Sequence, residues 1–354
     1  MVAQEPQVAD RRRVIRDYAL AALTLAAIYV VYVLAVSPRH EFPLMDDWAY
    51  AQTVRHLLDT GQLRISEWAS TTLIFQVYWG ALFARLFGGF SFTALRWSAL
   101  VFSYITSLAL YALLRQLNLG APAAWLGGLT LVVNPIFVYL SYTFMSDVFY
   151  MGLMLLSLTF YVRGIRRNAA WALLVGSALA AGAYLERQLG ILLPIAAAIV
   201  LVWCDRRIRL KPLLLIGLIP LLAVAVHSFW LVYIHGVPWG MQVGGMTLSL
   251  RQLLQPTAPL LIVVKVWFGT MYLGLFTLPV LVAQAASRTC PRGRLIRLSK
   301  FYGVWLTLLG VFVVVLTVFV GRPMPFLKDV LNHEGIGMGA LNGNKLPVSP
   351  DWVW

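Results

Sequence analysis

The sequence predicts an all-α, polytopic membrane protein, with about nine transmembrane helices and further helices lying along the membrane surface in the first outer loop. Three observations predict it. Hydrophobic residues make up 60% of the chain and charged residues 12%, about half the charged share of an ordinary soluble domain. The apolar residues come in blocks, several of them longer than the roughly 18 residues that separate a bilayer-spanning helix from a core helix. The remaining Lys and Arg gather in the short segments between blocks, at spacings that put most of them on one side of a membrane. No Ser/Gly-rich linker and no internal repeat marks a boundary, so residues 1–320 are expected to form one transmembrane domain, with the first outer loop at 37–92 and an outer polar tail at 321–354.

Taken in order, Arg11, Arg12, Arg13 and Arg16 precede an apolar run that ends near Val36. At about twenty residues this run is longer than a signal-peptide core, and no small-x-small site closes it, so 17–36 reads as a retained first span. Further spans are expected at 93–114, 122–141, 145–163, 169–185, 188–204, 212–234, 259–284 and 301–320. The segment 72–88 (TLIFQVYWGALFARLFG) has the length of a short span, but it carries Gln76 and Arg85 and closes on Gly88-Gly89. Charge decides its placement. If it lies along the outer interface, 17 of the 28 basic residues fall on the inner side against four acids (Glu5, Asp10, Asp17 and Asp205). The net charge is then +13 inside and +1 outside, as the positive-inside bias requires. If it crosses, every later basic cluster moves to the wrong side, so 72–88 is expected to be an interfacial helix.

The same topology accounts for the net charge of +14 without a nucleic-acid partner, since there is no soluble module to carry a basic face. Cys204 and Cys290 lie beside Asp205-Arg206-Arg207 and Arg292-Gly293-Arg294 on the inner side, where no disulfide is expected. A phosphate-binding GxxxxGK[ST] loop is absent, and so is any HExxH or His/Cys cluster of zinc-site spacing; His333-Glu334 lacks a second histidine.

Nearly all the acids fall on the outer face: Glu41, Asp46, Asp47, Asp59 and Glu67 in the first loop, Asp147 and Glu186 at span ends, and Asp329, Glu334 and Asp351 in the tail. Chemistry that needs carboxylates is therefore expected outside. Met45-Asp46-Asp47-Trp48 opens a short amphipathic helix running to about Leu58. The two acids could simply satisfy free N–H groups at the helix start. Alternatively one takes a proton from an acceptor hydroxyl, or both hold a divalent cation. Asp147, at the head of a mostly apolar span, is costly there unless it caps the helix, is paired, or is functional. Glu186-Arg187 could staple a hairpin, or the guanidinium could bind a lipid phosphate in bidentate fashion. Lys265, about two turns into its span, could snorkel outward or supply a second phosphate contact. His227 reads as a packed, hydrogen-bonded histidine.

These segments resemble the GT-C-fold, polyprenyl-phosphate-dependent glycosyltransferases, a group that includes protein O-mannosyltransferases and the lipid A aminoarabinose transferase (glycosyltransferase family 39-like). MDDWAYAQTVRHLLDTGQL looks like the family's acidic pair and following helix, TFMSDVFY like its second acid, AYLERQLGILLP with Arg187 and Gly190 like its Arg-containing turn, and GRPMPFLKDVL like an outer loop of related sequences. The likeness is close over about 17–204. It implies a GT-C-like architecture in which Asp46 and Asp147 are catalytic and Asp47, Glu186, Arg187 and Lys265 bind substrate. It further implies a polyprenyl-phosphate-linked sugar as donor and a lipid, glycan or protein as acceptor. A metal, if one is used, would be Mg or Mn held by Asp46 and Asp147. The expected location is the plasma (inner) membrane, with a cytoplasmic N-terminus and an extracytoplasmic active site. Where many members carry a Gly/Glu-Lys-Pro element, this chain reads Ser66-Glu67-Trp68-Ala69-Ser70-Thr71, without a lysine for the donor phosphate. Family members are usually longer, so the tail is expected to be truncated.

The rival class is a multi-pass transporter or lipid flippase. It calls for internal repeats, helices broken near the midplane, or ionisable groups deep in the bilayer. A noncatalytic scaffold would leave Asp46, Asp147 and Arg187 as separate surface charges.

Overall fold

The computed structural model describes residues 8–44, 46–205 and 210–243, with isolated positions at Gln255, Val311, Leu331–Asn332 and Gly335–Ile336. The expected spans 259–284 and 301–320, Lys265 and the His333-Glu334 pair lie outside the described residues. Among the described residues the architecture is helical: α1 (Val8–Ala35), α2 (Asp47–Thr60), α3 (Ile74–Leu86), α4 (Phe92–Gln116), α5 (Ala121–Val132), α6 (Pro135–Ser141), α7 (Ser146–Arg167), α8 (Ala170–Glu186), α9 (Leu192–Asp205), α10 (Leu210–Trp230) and α11 (Trp239–Val243). The single ladder described is a two-residue antiparallel pair, Leu331↔Ile336 and Asn332↔Gly335.

Four helices are long and apolar enough to cross a membrane, those over Arg12–Ala35, Phe92–Gln116, Ser146–Arg167 and Leu210–His235; the broken pair α5 and α6 makes a fifth if counted as one span. Residues 170–186 and 188–203 form shorter apolar helices. Each of the seven described spans expected from hydropathy thus coincides with helix. The span at 122–141 is not continuous, because Pro135 has no amide to extend the ladder, and Asn134 Oδ1 instead accepts from the amides of Ile136 (3.0 Å) and Phe137 (3.2 Å).

Compactness groups residues 1–133 with 140–245 in one unit. In this unit α1 and α4 run antiparallel. Arg115, in the last turn of α4, pairs with Asp17 near the start of α1 (3.8 Å), the Tyr111 hydroxyl donates to the Asp17 carbonyl (3.3 Å), and Tyr104 donates to Ala22 (3.0 Å). The chain leaves on α1 and returns on α4, so α3 adds no crossing between them. Its 13 residues span only about 20 Å, against the roughly 30 Å of a bilayer core. Arg166, at the end of α7, donates to the Gln116 carbonyl and to Asn118 Oδ1, bringing a second basic cluster to the same end.

Close crossings hold the helices in register. A Cβ at Gly152 of α7 would collide with Thr106 and Phe102 of α4, and one at Gly176 of α8 would collide with Tyr161 of α7. Small residues at such crossings let backbones approach, as membrane helices require. The Ser157 hydroxyl donates to the Gly176 carbonyl (2.8 Å), and Tyr161 donates to Ile216 of α10 (3.2 Å). His227 is buried, with Nδ1 at 3.1 Å from the Tyr184 hydroxyl, as expected of a packed histidine.

Candidate active site

The opposite ends of these helices carry the acids. α2 starts where Asp46 (φ −80°, ψ 0°) turns the chain; its side chain makes no capping bond and is exposed. The helix ends at Gly61 (φ +72°), whose amide bonds the Leu57 carbonyl at 2.9 Å. The neighbouring carboxylate behaves differently. Asp47 is 1% exposed; its Oδ1 accepts from the Leu44 amide (2.6 Å) and its Oδ2 from the Phe144 amide (3.4 Å). Neither acid caps α2. Burial pushes the Asp47 carboxyl up to about 7, aided by the charge of Asp46 and opposed by its two amide bonds and by Arg96. Arg96 is itself enclosed, donating from Nη2 to the Phe42 carbonyl (2.8 Å) with its guanidinium 4.6 Å from the Phe42 ring centre.

Phe144 is the hub of the arrangement. Its amide faces Asp47, and its carbonyl accepts from Gln76 Nε2 of α3 (3.4 Å). The Gln76 amide donates to Glu186 Oε2 (3.0 Å), and the Leu73 amide to the Glu186 carbonyl (3.3 Å). Glu186 is fully buried, just past the apolar stretch of α8, and burial holds its carboxyl well above the usual range against the pull of the Gln76 amide and Arg187. Its Oε1 has no hydrogen-bond partner, nor has Gln76 Oε1.

After Glu186 the chain turns out of the helix: Arg187 is extended (φ −142°, ψ 137°), and Gly190 packs so tightly on the backbone of Ala183 and Tyr184 that no side chain fits there. This turn aims the Arg187 guanidinium at the start of α7, where Nε donates to Ser146 Oγ (2.9 Å) and Nη2 pairs with Asp147 Oδ1 (3.0 Å). Both partners remain partly open, with side chains 26% (Arg187) and 33% (Asp147) exposed. Met145, rather than Asp147, occupies the N-cap position of α7.

Tyr50, one turn along α2 from Asp46, links the two halves. Its hydroxyl is shifted upward chiefly by burial, further by the charge of Asp46, and in the opposite sense by Arg187. Both charges are felt at this buried phenol, which has the Ser70 and Thr71 side chains beside it. Of the expected site residues, Asp46, Asp147 and Arg187 present side chains at this surface. Asp47 and Glu186, expected to touch substrate, are enclosed. Among the described residues no group of three or more His, Cys, Asp or Glu is placed to hold a metal ion. Sequence reasoning missed Gln76, Ser146 and Tyr50 as site components. The i, i+4 spacing of Asp46 and Tyr50 could have flagged the last of them.

The model of the dolichyl-phosphate-mannose-protein mannosyltransferase family matches residues 72–230, from just before α3 to the last residue of α10. That match includes Gln76, Phe144, Asp147, Glu186 and Arg187 and leaves Asp46 and Asp47 outside it. It agrees with a GT-C-fold glycosyltransferase and supports a multi-pass membrane enzyme that uses a dolichyl-phosphate sugar donor. No curated protein matches the chain.

Proposed function

We propose that this protein transfers a sugar from a polyprenyl-phosphate donor to an acceptor hydroxyl on the extracytoplasmic face of the plasma membrane, with Asp46 as general base. The observation that carries this reading is the hydrogen-bonded run Asp47–Phe144–Gln76–Glu186, which joins the segments bearing an uncapped, exposed carboxylate (Asp46) and a partly exposed guanidinium (Arg187), while the Arg115 and Arg166 clusters gather at the other helix ends. Positive-inside bias assigns the latter to the cytoplasm.

The donor's polyprenyl chain lies among the apolar helices and its phosphate meets Arg187. Nε and Nη2 of that side chain are engaged by Ser146 and Asp147, which leaves three of a guanidinium's five N–H donors, two on Nη1 and one on Nη2, for the phosphate. Asp46 removes the proton from the acceptor hydroxyl as its oxygen attacks the anomeric carbon. The bond from that carbon to the phosphate oxygen breaks, and the electron pair leaves with polyprenyl phosphate, whose charge Arg187 stabilises. Direct displacement inverts the anomeric centre. Asp147 keeps the guanidinium in place.

The convergence favours an enzyme over a scaffold with scattered charges. The test is mass spectrometry of lipid-linked sugars in cells lacking the protein, complemented with wild type or Asp46→Asn. Accumulated polyprenyl-phosphate sugar should be cleared by wild type and not by the variant. Clearance by Asp46→Asn sinks the base assignment, and an unchanged lipid-linked pool in the deletion favours a transporter.

A further inference from the structure

The first outer loop is tied to the end of a candidate span, and exposed aromatic rings that the transfer reaction does not use cover the tie. α10 continues through one π-helical turn, Leu231–His235, and the stretch Leu210–His235 is long and apolar enough to cross a membrane. Its far end lies on the side that carries the acids. Tyr184, two residues before Glu186, has its hydroxyl 3.1 Å from His227 Nδ1, and His235 Nε2 accepts from the Ile65 amide (2.8 Å). Just beyond, Glu67 Oε2 accepts from the Trp239 amide (2.9 Å) and the Glu67 carbonyl from the Gly240 amide (2.7 Å). Gly240 sits so near the Trp68 and Ala69 carbonyls that a Cβ would fall 2.8 Å from both. Residues 65–69 are thereby fastened to 235–240, where the span ends.

The surface over this tie is continuous with the span. Phe229, Val232, Tyr233 and Ile234 are exposed in its last turns, and Val237 follows. Trp239 (51% exposed) then stands 5.2 Å between ring centres from Trp68 (60% exposed). A helix that crosses a bilayer has hydrocarbon around its exposed apolar side chains, and where it emerges the medium changes to headgroups within a few residues. Tryptophan and tyrosine gather at that boundary because each has an apolar body and one polar group. The polar neighbours fit the same depth. Glu67 and Ser70 are exposed on either side of the Trp68 turn, and a carboxylate is costly in hydrocarbon but tolerated among headgroups and water. A second face of the same loop calls for the same medium: Tyr78, Leu82 and Leu86 recur every four residues along α3, and all are exposed.

We infer that Trp68 and Trp239, continuous with Tyr233 and Val237, form an aromatic anchor that beds the first outer loop in the boundary between headgroups and acyl chains. Trp48, in the first turn of α2, lies 6.1 Å from Trp68. The anchor thus reaches the start of α2 and sets the depth at which Asp46 stands. It needs only the multi-pass reading of the chain, whether or not Asp46 is the base.

The test is nitroxide accessibility in nanodiscs of phosphatidylcholine and phosphatidylglycerol, on the full chain with Cys204 and Cys290 replaced by serine. Single labels are carried by Trp68→Cys or Trp239→Cys. Leu23→Cys, exposed midway along α1, is the hydrocarbon reference, and Asp59→Cys, exposed on α2, is the water reference. At both tryptophan positions the ratio of collisions with oxygen to collisions with a water-soluble nickel chelate should be several-fold above that at Asp59 and below that at Leu23. A ratio equal to that at Asp59 puts the rings in water and overturns the anchor. One equal to that at Leu23 puts them in hydrocarbon and overturns the boundary depth. Protection from both reagents means that protein covers the rings, which also overturns it. The thermal midpoint of each labelled protein checks the fold. Fluorescence offers a second measurement that leaves the packing in place. Lipids brominated near the glycerol end of their chains should quench the wild type more than a protein carrying Trp68→Phe and Trp239→Phe, and equal fractional quenching overturns the anchor. An Asp46→Asn protein that still transfers sugar sinks the base assignment and leaves the accessibility pattern standing.

Discussion

Replacing Asp47 by asparagine should remove much of the stability that the protein loses on the alkaline side. The carboxyl is 1% exposed and ionises at about 7 in the folded chain, against 3.8 for an ordinary aspartate. A folded value above the unfolded one means that the folded state holds the proton more tightly. The Asp47 contribution is therefore complete below about pH 4 and is lost as pH rises towards 7. At about 1.4 kcal/mol per pH unit, the whole interval is worth at most about 4 kcal/mol, of which about 2–3 kcal/mol falls between pH 5 and pH 8. Asparagine cannot ionise. It keeps an oxygen for the Leu44 amide, whose bond is the shorter of the two at 2.6 Å. It gives up the long 3.4 Å contact with the Phe144 amide, a cost of about 1 kcal/mol that does not vary with pH.

Thermal unfolding of the purified protein in detergent, followed by circular dichroism at half-unit steps from pH 5 to pH 8, reads the difference. The Asp47→Asn midpoint should gain several degrees on the wild type across that range, whatever the constant offset at pH 5. Two parallel curves would falsify the claim that burial outweighs Arg96 and the two amide bonds in setting where Asp47 ionises.

Two further variants probe the rest of the site. Arg187→Ala should raise the KM for the lipid-phosphate donor tenfold or more, with Arg187→Lys intermediate, because an ammonium keeps the charge but lacks the planar fork that spans Ser146, Asp147 and a phosphate at once; equal KM for all three proteins in a detergent transfer assay removes Arg187 from the phosphate contact. Glu186→Gln should leave the thermal midpoint nearly unchanged, whereas Glu186→Ala, which strands the Gln76 amide, should cost about 1–3 kcal/mol; a Gln variant as unstable as the Ala variant would show that Glu186 is needed in its charged form.

Much of the helical frame was legible because hydropathy is a local property. Residues 17–36, 93–114 and 145–163 each have enough apolar side chains to demand a helix whatever surrounds them, and α1, α4 and α7 follow. The interfacial course of 72–88 was legible from charge placement, and the Arg115–Asp17 pairing agrees with it. The break within 122–141 was visible in Asn134-Pro135 but was outweighed by the apolar run. The site was legible only in part, since a sequence shows which acids exist and not which are buried. Asp47 is enclosed because Phe144, 97 positions away, closes over it. Gln76 registered as an obstacle to spanning, when its use is to join Phe144 to Glu186.

That joining explains why the working groups come paired with buried acids in the chain. Asp46 is covalently followed by Asp47, and Arg187 is preceded by Glu186. The buried member of each pair is held by backbone amides: Asp47 by Leu44 and Phe144, Glu186 by Gln76. Gln76 closes the circuit through the Phe144 carbonyl. The segments bearing the proposed base and guanidinium are thus joined by a run of hydrogen bonds through α2, the turn before α7, α3 and α8. A carboxylate free enough to take a proton and an arginine open enough to meet phosphate are poorly placed to position themselves, because bonds that fixed them would occupy the atoms they use. Assigning position to enclosed neighbours leaves Asp46 uncapped and part of Arg187 unengaged. A buried acid can serve this purpose only while it is neutral or fully hydrogen-bonded, which is the condition the Asp47→Asn pH comparison measures.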